Sequence, residues 1–108
     1  MLKVDYEFKK GYFFIRPFGN ITIKNYNNII SEIDIILDKV GVRKIVLNLD
    51  NIKSIELSCL DEILKYIQHI TYNGVTMLLC DKNMFMSKRL FKNIIPSIST
   101  EMEVYNLV

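Results

Sequence analysis

Glycine is scarce in this sequence, and few of the residues that usually build catalytic or metal sites are present. The 108 residues include four glycines, two prolines, two cysteines and one histidine. The glycines are isolated, so no GxGxxG or GxxxxGK[ST] segment exists to hold the phosphates of a nucleotide. The GxSxG turn of α/β-hydrolases is also missing. His69 and the two separated cysteines lack the spacing of metal ligands. The sequence therefore predicts no catalytic residue, no metal and no cofactor.

Strong charge and long apolar runs are missing as well. Fourteen basic and twelve acidic residues give a net charge of +2, which is too balanced for a dedicated nucleic-acid-binding protein. No apolar run approaches the roughly 18–20 residues that span a bilayer, and residues 1–5 show no signal-peptide core. We therefore expect a cytoplasmic protein that neither inserts into a membrane nor binds nucleic acid. In a reducing compartment, Cys59 and Cys80 are expected to be free, half-buried thiols.

The composition that remains is typical of one folded domain. Half of the residues are hydrophobic and 24% are charged, as in ordinary globular proteins. The length leaves no room for a second core. No linker, repeat or low-complexity tract divides the chain, so a single domain over residues 1–108 is expected.

The first part of the chain is predicted to form a hairpin and a helix. Alternating apolar residues predict a strand over residues 2–8, and the run 12–16 that follows Gly11 predicts a second strand, joined to the first as an antiparallel pair. Pro17 indicates an edge or a bulge. Apolar residues that recur at spacings of three and four predict a helix over 24–40, which Gly41 ends.

The rest of the chain is predicted to alternate strands and helices. Strands are predicted over 43–50 and 75–80 because each contains a continuous apolar run, 45–47 and 77–80, as in a parallel sheet that is buried on both faces. Helices are expected over 58–72 and 83–94. A final short strand is expected around residues 102–105. The order β-β-α-β-α-β-α-β, with right-handed crossovers, predicts an α/β fold with a mixed, mainly parallel sheet and helices packed on it. A site is expected at the carboxyl ends of the strands.

An ordered set of motifs resembles the STAS domain family, and within it the bacterial anti-anti-sigma factors. The strand 45–52 contains the acidic Asp50, and a short loop over 53–56 then leads to residues 57–60 and a helix. The segment 74–80, a glycine followed by an apolar strand, precedes the pattern of 87–91. Residues 15–22 are similar to the second strand of that family and the turn that follows it. The resemblance covers almost the whole chain and implies a single STAS-like domain.

The resemblance implies a non-enzymatic binding module. Anti-sigma factor antagonists of this type bind a serine-kinase anti-sigma factor, release a sigma factor and so control transcription. The kinase phosphorylates a serine in the loop before the second helix, which turns binding off. Phosphate there would add about −2 charge at a helix N-terminus. The partner-binding residues that the resemblance implies are Asn20, Thr22, Ser54, Glu56, Leu57, Ser58 and Cys59.

The sequence departs from the family at the phosphorylated loop. The family pattern D-S-[ST]-G-[LIV] falls on residues 56–60, so Leu57 occupies the usual phosphoacceptor position and Cys59 replaces the glycine. Three interpretations stay open. Ser58 or Ser54 could serve as a shifted acceptor, the domain could bind its partner constitutively, or it could belong to a subgroup with a different partner.

Some of these residues also have plainer structural interpretations. Ser58 and Asp61 fit an [ST]-x-x-[DE] capping box, which we favour over phosphorylation of Ser58. Glu56 is either a solvated acid of the loop or a partner contact. Leu57 is either a core residue or an apolar contact. Cys59 is either a thiol whose pKa is lowered at the helix start or simply a small residue in place of glycine.

Two other classes of function, a transport subunit and a small enzyme or nucleotide-binding domain, have different support in the sequence. The domain could be the small STAS subunit of a lipid or solute transport complex that binds an ATPase or permease subunit. A small enzyme or nucleotide-binding domain is disfavoured by the glycine-poor loops. The chain stops at Val108, where many relatives continue into a further helix. We therefore expect an apolar patch there, covered by a second copy in a homodimer or by a permanent partner.

Overall fold

The chain folds from a hairpin into alternating strands and helices, as the sequence predicts. A computed structural model gives the structure of residues 2–82, 97–98 and 100–106. The elements are β1 (Leu2–Lys9), β2 (Tyr12–Ile21), α1 (Tyr26–Ile35) with a π-helical turn (Ile36–Val40), β3 (Lys44–Asn48), β4 (Ile52–Ile55), α2 (Leu57–Tyr72), β5 (Thr76–Cys80), β6 (Ser97–Ile98) and a 3-10 helix (Glu101–Asn106). The helix predicted over 83–94 lies outside the described residues.

In the part of the chain that the structure describes, six strands form one mixed sheet. The order is β1-β2-β3-β5-β6, and β4 pairs with β2 beside that path. Among the strand pairs of the described residues, only the β1–β2 hairpin is antiparallel, and the pairs β2–β3, β2–β4, β3–β5 and β5–β6 are parallel. The predicted α/β fold with a mainly parallel sheet is confirmed.

Strand β2 pairs with β3 over one part of its length and with β4 over another. Residues 13–15 pair with β3, and residues 19–21 pair with β4. Pro17, whose nitrogen carries no hydrogen to donate, lies between these two pairings. Its strand is not an edge, and the expected bulge comes two residues later, opposite Gly19 and Asn20. Gly19 itself has a φ of +114°, a conformation that favours glycine.

The sheet is buried on both faces. One face packs against α1 and α2 in the main core, which includes Ile15, Leu47, Met77, Ile29, Ile33, Ile63 and Ile67. The opposite face carries a smaller cluster, formed by Tyr12, Phe14, Val46, Leu78, Cys80 and Val104. Burial on both faces is the reason that β3 and β5 contain the continuous apolar runs 45–47 and 77–80.

Gly41 ends the first helix as predicted. Its φ of +77° is left-handed, and its N–H donates to the carbonyl of Ile36 at 3.1 Å. This bond spans five residues because the last turn, Ile36–Val40, is π-helical. The single helix predicted over 24–40 is thus an α-helix followed by a π-helical turn.

Two predictions about the strands are wrong. Residues 53–56 are predicted to form a loop, but Ile52–Ile55 form β4. Its only apolar residues are the buried Ile52 and the half-buried Ile55, which are too few to show a period. The predicted last strand is a 3-10 helix, and the strand comes earlier, at Ser97–Ile98. Met102 and Val104 would share one face of a strand, but Met102 is 66% exposed and Val104 is fully buried.

Candidate functional site

The segments 20–22 and 54–59 meet at one corner of the sheet. They lie at the carboxyl ends of β2 and β4, where the sequence predicts a site. Asn20 pairs with Ser54 in the β2–β4 register, and the Ser54 hydroxyl donates to Asn20 Oδ1 at 2.9 Å. The Glu56 N–H then donates to the carbonyl of Ile21 at 3.0 Å. Strand pairing therefore holds the two predicted segments side by side.

A hydrogen-bonded turn between β2 and α1 fixes the first of these segments. The N–H of Thr22 donates to Asn25 Oδ1 at 2.8 Å, and Asn25 Nδ2 donates to the carbonyl of Asn20 at 3.0 Å. The Thr22 carbonyl accepts the N–H of Tyr26 at 2.9 Å. Asn25 was missed as a site residue. The signal for it was an asparagine just before the helix, in a position typical of Asx turns.

Glu56 joins the two segments through its side chain. Its Oε2 accepts the N–H of Ile23 at 3.1 Å. Glu56 is also the N-cap residue of α2, in an extended conformation, but its side chain makes no capping bond to its own helix. The carboxylate of Glu56 is therefore neither a free acid of the loop nor a helix cap: it links α2 to the turn before α1.

The capping role predicted for Ser58 is wrong. Helix α2 begins at Leu57, so Ser58 lies in its first turn and is exposed. The helix starts earlier than predicted because pairing of β4 with β2 extends up to Glu56, whose N–H is bonded to Ile21. The ladder of the sheet, rather than a local capping box, sets the start of α2.

Two apolar side chains are exposed on either side of the Glu56 link. Leu57, the first residue of α2, is 67% exposed, and Ile23 in the turn is 53% exposed. Of the two interpretations of Leu57, the structure excludes the core residue. Ile23 was missed by the sequence analysis, although an isoleucine between polar turn residues is a usable signal. We call the exposed set Asn20, Ile23, Ser54, Glu56, Leu57 and Ser58 the β4–α2 surface.

Cys59 and Thr22 are less accessible than this set. Thr22 is half-buried. The side chain of Cys59 is fully buried in the main core, and burial raises the pKa of its thiol. The lowered pKa considered for this cysteine is therefore wrong, and a small core residue in place of glycine is the account that fits. Within the described residues neither Cys59 nor Cys80 forms a disulfide, as expected, but both are fully buried rather than half-buried.

The sequence of residues 3–98 matches the STAS domain. The chain belongs to the STAS domain family. This family consists of regulatory protein-interaction domains and is not typically enzymatic. No curated protein matches the chain.

Solved structures share the STAS fold at low sequence identity. The anti-sigma factor antagonist SpoIIAA in its unphosphorylated form is 18% identical, with a TM-score of 0.74 over 97% of this chain and 96% of that one. The Bacillus cell fate determinant SpoIIAA in its phosphorylated form is 15% identical, with a TM-score of 0.72 over 98% of this chain and 100% of that one. An anti-sigma factor antagonist from Mycobacterium paratuberculosis is 11% identical, with a TM-score of 0.76 over 100% of this chain and 94% of that one. At such identities the likeness establishes the fold.

Two further observations concern the part of this STAS domain that the structure describes. Within it, no group of three or more His, Cys, Asp or Glu side chains could hold a metal ion. Over the same residues, no helix has both the length and the apolar character needed to cross a bilayer.

Proposed function

We propose that this STAS domain is a cytoplasmic, non-enzymatic module of the anti-sigma factor antagonist type. It binds a serine-kinase anti-sigma factor through the β4–α2 surface and so controls transcription. The observation that carries the proposal is Leu57, an apolar side chain that is 67% exposed at the first position of α2. Similarity of fold to anti-sigma factor antagonists supports this class of partner.

Burial of Leu57 on binding supplies affinity. Complete burial of a leucine side chain is worth about 1.5–3 kcal/mol, and Ile23 adds apolar area nearby. Because β4 pairing and the Glu56–Ile23 bond already order both backbone segments, little conformational entropy is lost when a partner docks. The β4–α2 surface thus combines an exposed apolar side chain with a backbone that is already ordered before a partner binds.

Regulation by phosphate has two alternatives in this proposal. Leu57 cannot accept phosphate, so the shifted acceptor is Ser58, with Ser54 as the second candidate, or the domain binds constitutively. Ser58 is exposed in the first turn of α2. A phosphate there adds about −2 charge close to the Glu56 carboxylate, and like-charge repulsion would loosen its bond to Ile23. Phosphorylation of Ser54 would instead disrupt its hydrogen bond to Asn20.

The test uses the serine-kinase anti-sigma factor of the host and titration calorimetry. Leu57→Ala is expected to weaken binding by about tenfold or more. Tyr72→Ala is the matched control, because Tyr72 is 91% exposed at the other end of α2. Equal affinity of wild type and Leu57→Ala would contradict the proposal, as would failure of the wild type to bind. Mass spectrometry after incubation with kinase and ATP locates phosphate on Ser58, on Ser54 or on neither.

A second candidate is the small STAS subunit of a lipid or solute transport complex that binds an ATPase or permease subunit. The observation in its favour is Leu57, which removes the usual phosphoacceptor and fits a partner that does not act through phosphorylation. Co-purification from the host with an ATP-binding transport subunit, and not with an anti-sigma factor, would favour this candidate.

Association of two copies is the remaining proposal about partners. Met102, in the 3-10 helix, is 66% exposed, and a second copy that covered it would remove this apolar side chain from water. Sedimentation at high protein concentration tests this, and a monodisperse monomer would contradict it.

A further inference from the structure

A cleft opens on the sheet beside the β4–α2 surface. Its volume is about 540 Å³, and its lining residues are Lys3, Phe18, Gly19, Asn51 and Lys53. Side chains alternate between the two faces along β2. Phe18 therefore shares a face with Phe14, which belongs to the smaller cluster opposite α1 and α2. The cleft lies on the side of the sheet away from these helices.

Three neighbouring strands place two lysines on either side of one aromatic ring. Lys3 of β1 lies directly opposite Phe18 of β2 in the antiparallel register, and such pairs hold their Cβ atoms about 4.5–5.5 Å apart. On the other side, the β2–β4 register steps from Gly19–Ile52 to Asn20–Ser54. This step leaves Lys53 as the extra residue of a β-bulge, and Lys53 lines the same cleft.

The two ammonium groups are not neutralised by the described part of the chain. The ion pairs found there involve Lys9, Arg16 and Lys65, and none involves Lys3 or Lys53. Asp5, the next residue of β1 on that face, lies opposite Arg16 in the register and does not line the cleft. The cleft therefore carries a charge of about +2 beside a phenyl ring that is 39% exposed.

We propose that this cleft binds an organic phosphate monoester that carries an aromatic ring. Lys3 and Lys53 contact the phosphate, and the ring stacks on Phe18. Two lysines balance the charge of about −2 of a phosphate monoester, whereas a single carboxylate would balance only one of them. Lysine recognises phosphate as a point charge, and the volume of the cleft falls within the range of small-molecule sites, about 300–1,000 Å³. The site uses no residue of the β4–α2 surface, so it does not depend on the proposed partner.

The test is an NMR titration of the ¹⁵N-labelled chain with phenyl phosphate. The amide signals of Lys3, Phe18, Gly19 and Lys53 are expected to shift, with a Kd of about 1 mM for so small a probe. The double variant Lys3→Gln/Lys53→Gln is expected to bind about tenfold more weakly, since each exposed charge contributes a factor of a few. The control double variant Lys39→Gln/Lys65→Gln changes net charge equally and is expected to bind like the wild type.

The aromatic part of the proposal has its own readout. Inorganic phosphate is expected to bind several-fold more weakly than phenyl phosphate, and Phe18→Leu is expected to abolish the difference. Unchanged thermal unfolding shows that each variant is folded. The proposal is overturned if these amides do not move at about 20 mM probe, if both double variants weaken binding equally, or if inorganic phosphate binds as tightly. Loss of protein-partner binding in Lys3→Gln/Lys53→Gln, with no response to phenyl phosphate, would assign the lysines to a protein interface and overturn it as well.

Discussion

Arg16 and Glu101 form a two-point ion pair across 85 positions of the chain. Arg16 Nε donates to Glu101 Oε2 at 2.8 Å, and Arg16 Nη2 donates to Glu101 Oε1 at 2.6 Å. Asn48 Nδ2 adds a third bond to Glu101 Oε2, also at 2.6 Å. Because Arg16 lies on β2, Asn48 on β3 and Glu101 in the 3-10 helix, this one carboxylate holds that helix against the sheet.

Replacement of Glu101 tests this link. Glu101→Gln leaves the half-buried Arg16 guanidinium without its main partner, and we expect a loss of about 1–3 kcal/mol in the free energy of unfolding. Urea denaturation at pH 7 measures it. Glu62→Gln is the control, since Glu62 pairs with Lys65 on the exposed face of α2 at 3.7 Å, and such pairs contribute about 0–1 kcal/mol. Equal losses in the two variants would refute the role assigned to Glu101.

The same ion pair predicts how stability depends on pH. Hydrogen bonds from Arg16 hold the pKa of Glu101 below its usual value of 4.5. The carboxylate therefore contributes stability that is fully present above the pKa of the unfolded chain and is lost as the pH falls through the lowered folded value. The difference in unfolding free energy between wild type and Glu101→Gln is expected to shrink between pH 5 and pH 3. Urea titrations across this range measure it, and a constant difference would contradict the prediction.

Neither cysteine is expected to react in the folded protein. Both side chains are fully buried, and burial raises the pKa of the Cys59 thiol, which lowers the fraction of reactive thiolate. Ellman's reagent at pH 8 is expected to titrate both thiols rapidly in urea and only slowly without it. Rapid modification of one thiol in the native state would show that Cys59 or Cys80 is more accessible than the structure indicates.

Asn25 is expected to be a positioning residue for the β4–α2 surface. Its amide accepts the N–H of Thr22 and donates to the carbonyl of Asn20. Asn25→Ala removes both bonds and is expected to cost about 1–2 kcal/mol of stability. Asn25→Asp retains only the acceptor and is expected to cost less. Thermal unfolding of both variants measures the order. The reverse order would contradict the prediction and would mean that repulsion between the new carboxylate and the Asn20 carbonyl outweighs the retained bond to Thr22.

The sequence was informative where a pattern is local. Alternation predicted β1, spacings of three and four predicted α2, and Gly41 ended the first helix where its φ of +77° allows. The sequence was uninformative where the structure is decided by pairing between segments that lie far apart in the chain. Strand β4 has four residues and a bulge at Lys53, so it shows no alternation. Ser58 fitted a capping pattern, but the bond from Glu56 to Ile21 moved the helix start. Nothing local distinguishes Glu101 from other acids as the partner of Arg16.

Strand β4 also determines how the site moves. In the described part of the chain its only neighbour is β2, whereas β3 lies between β2 and β5 and is covered on both faces. Such a short flanking strand can detach at low cost without opening the centre of the sheet. Hydrogen exchange at residues 52–55 should therefore be faster than at 45–48. A partner that binds to the β4–α2 surface would slow this exchange. The exchange rate of the β4 amides therefore measures how much of the surface is occupied.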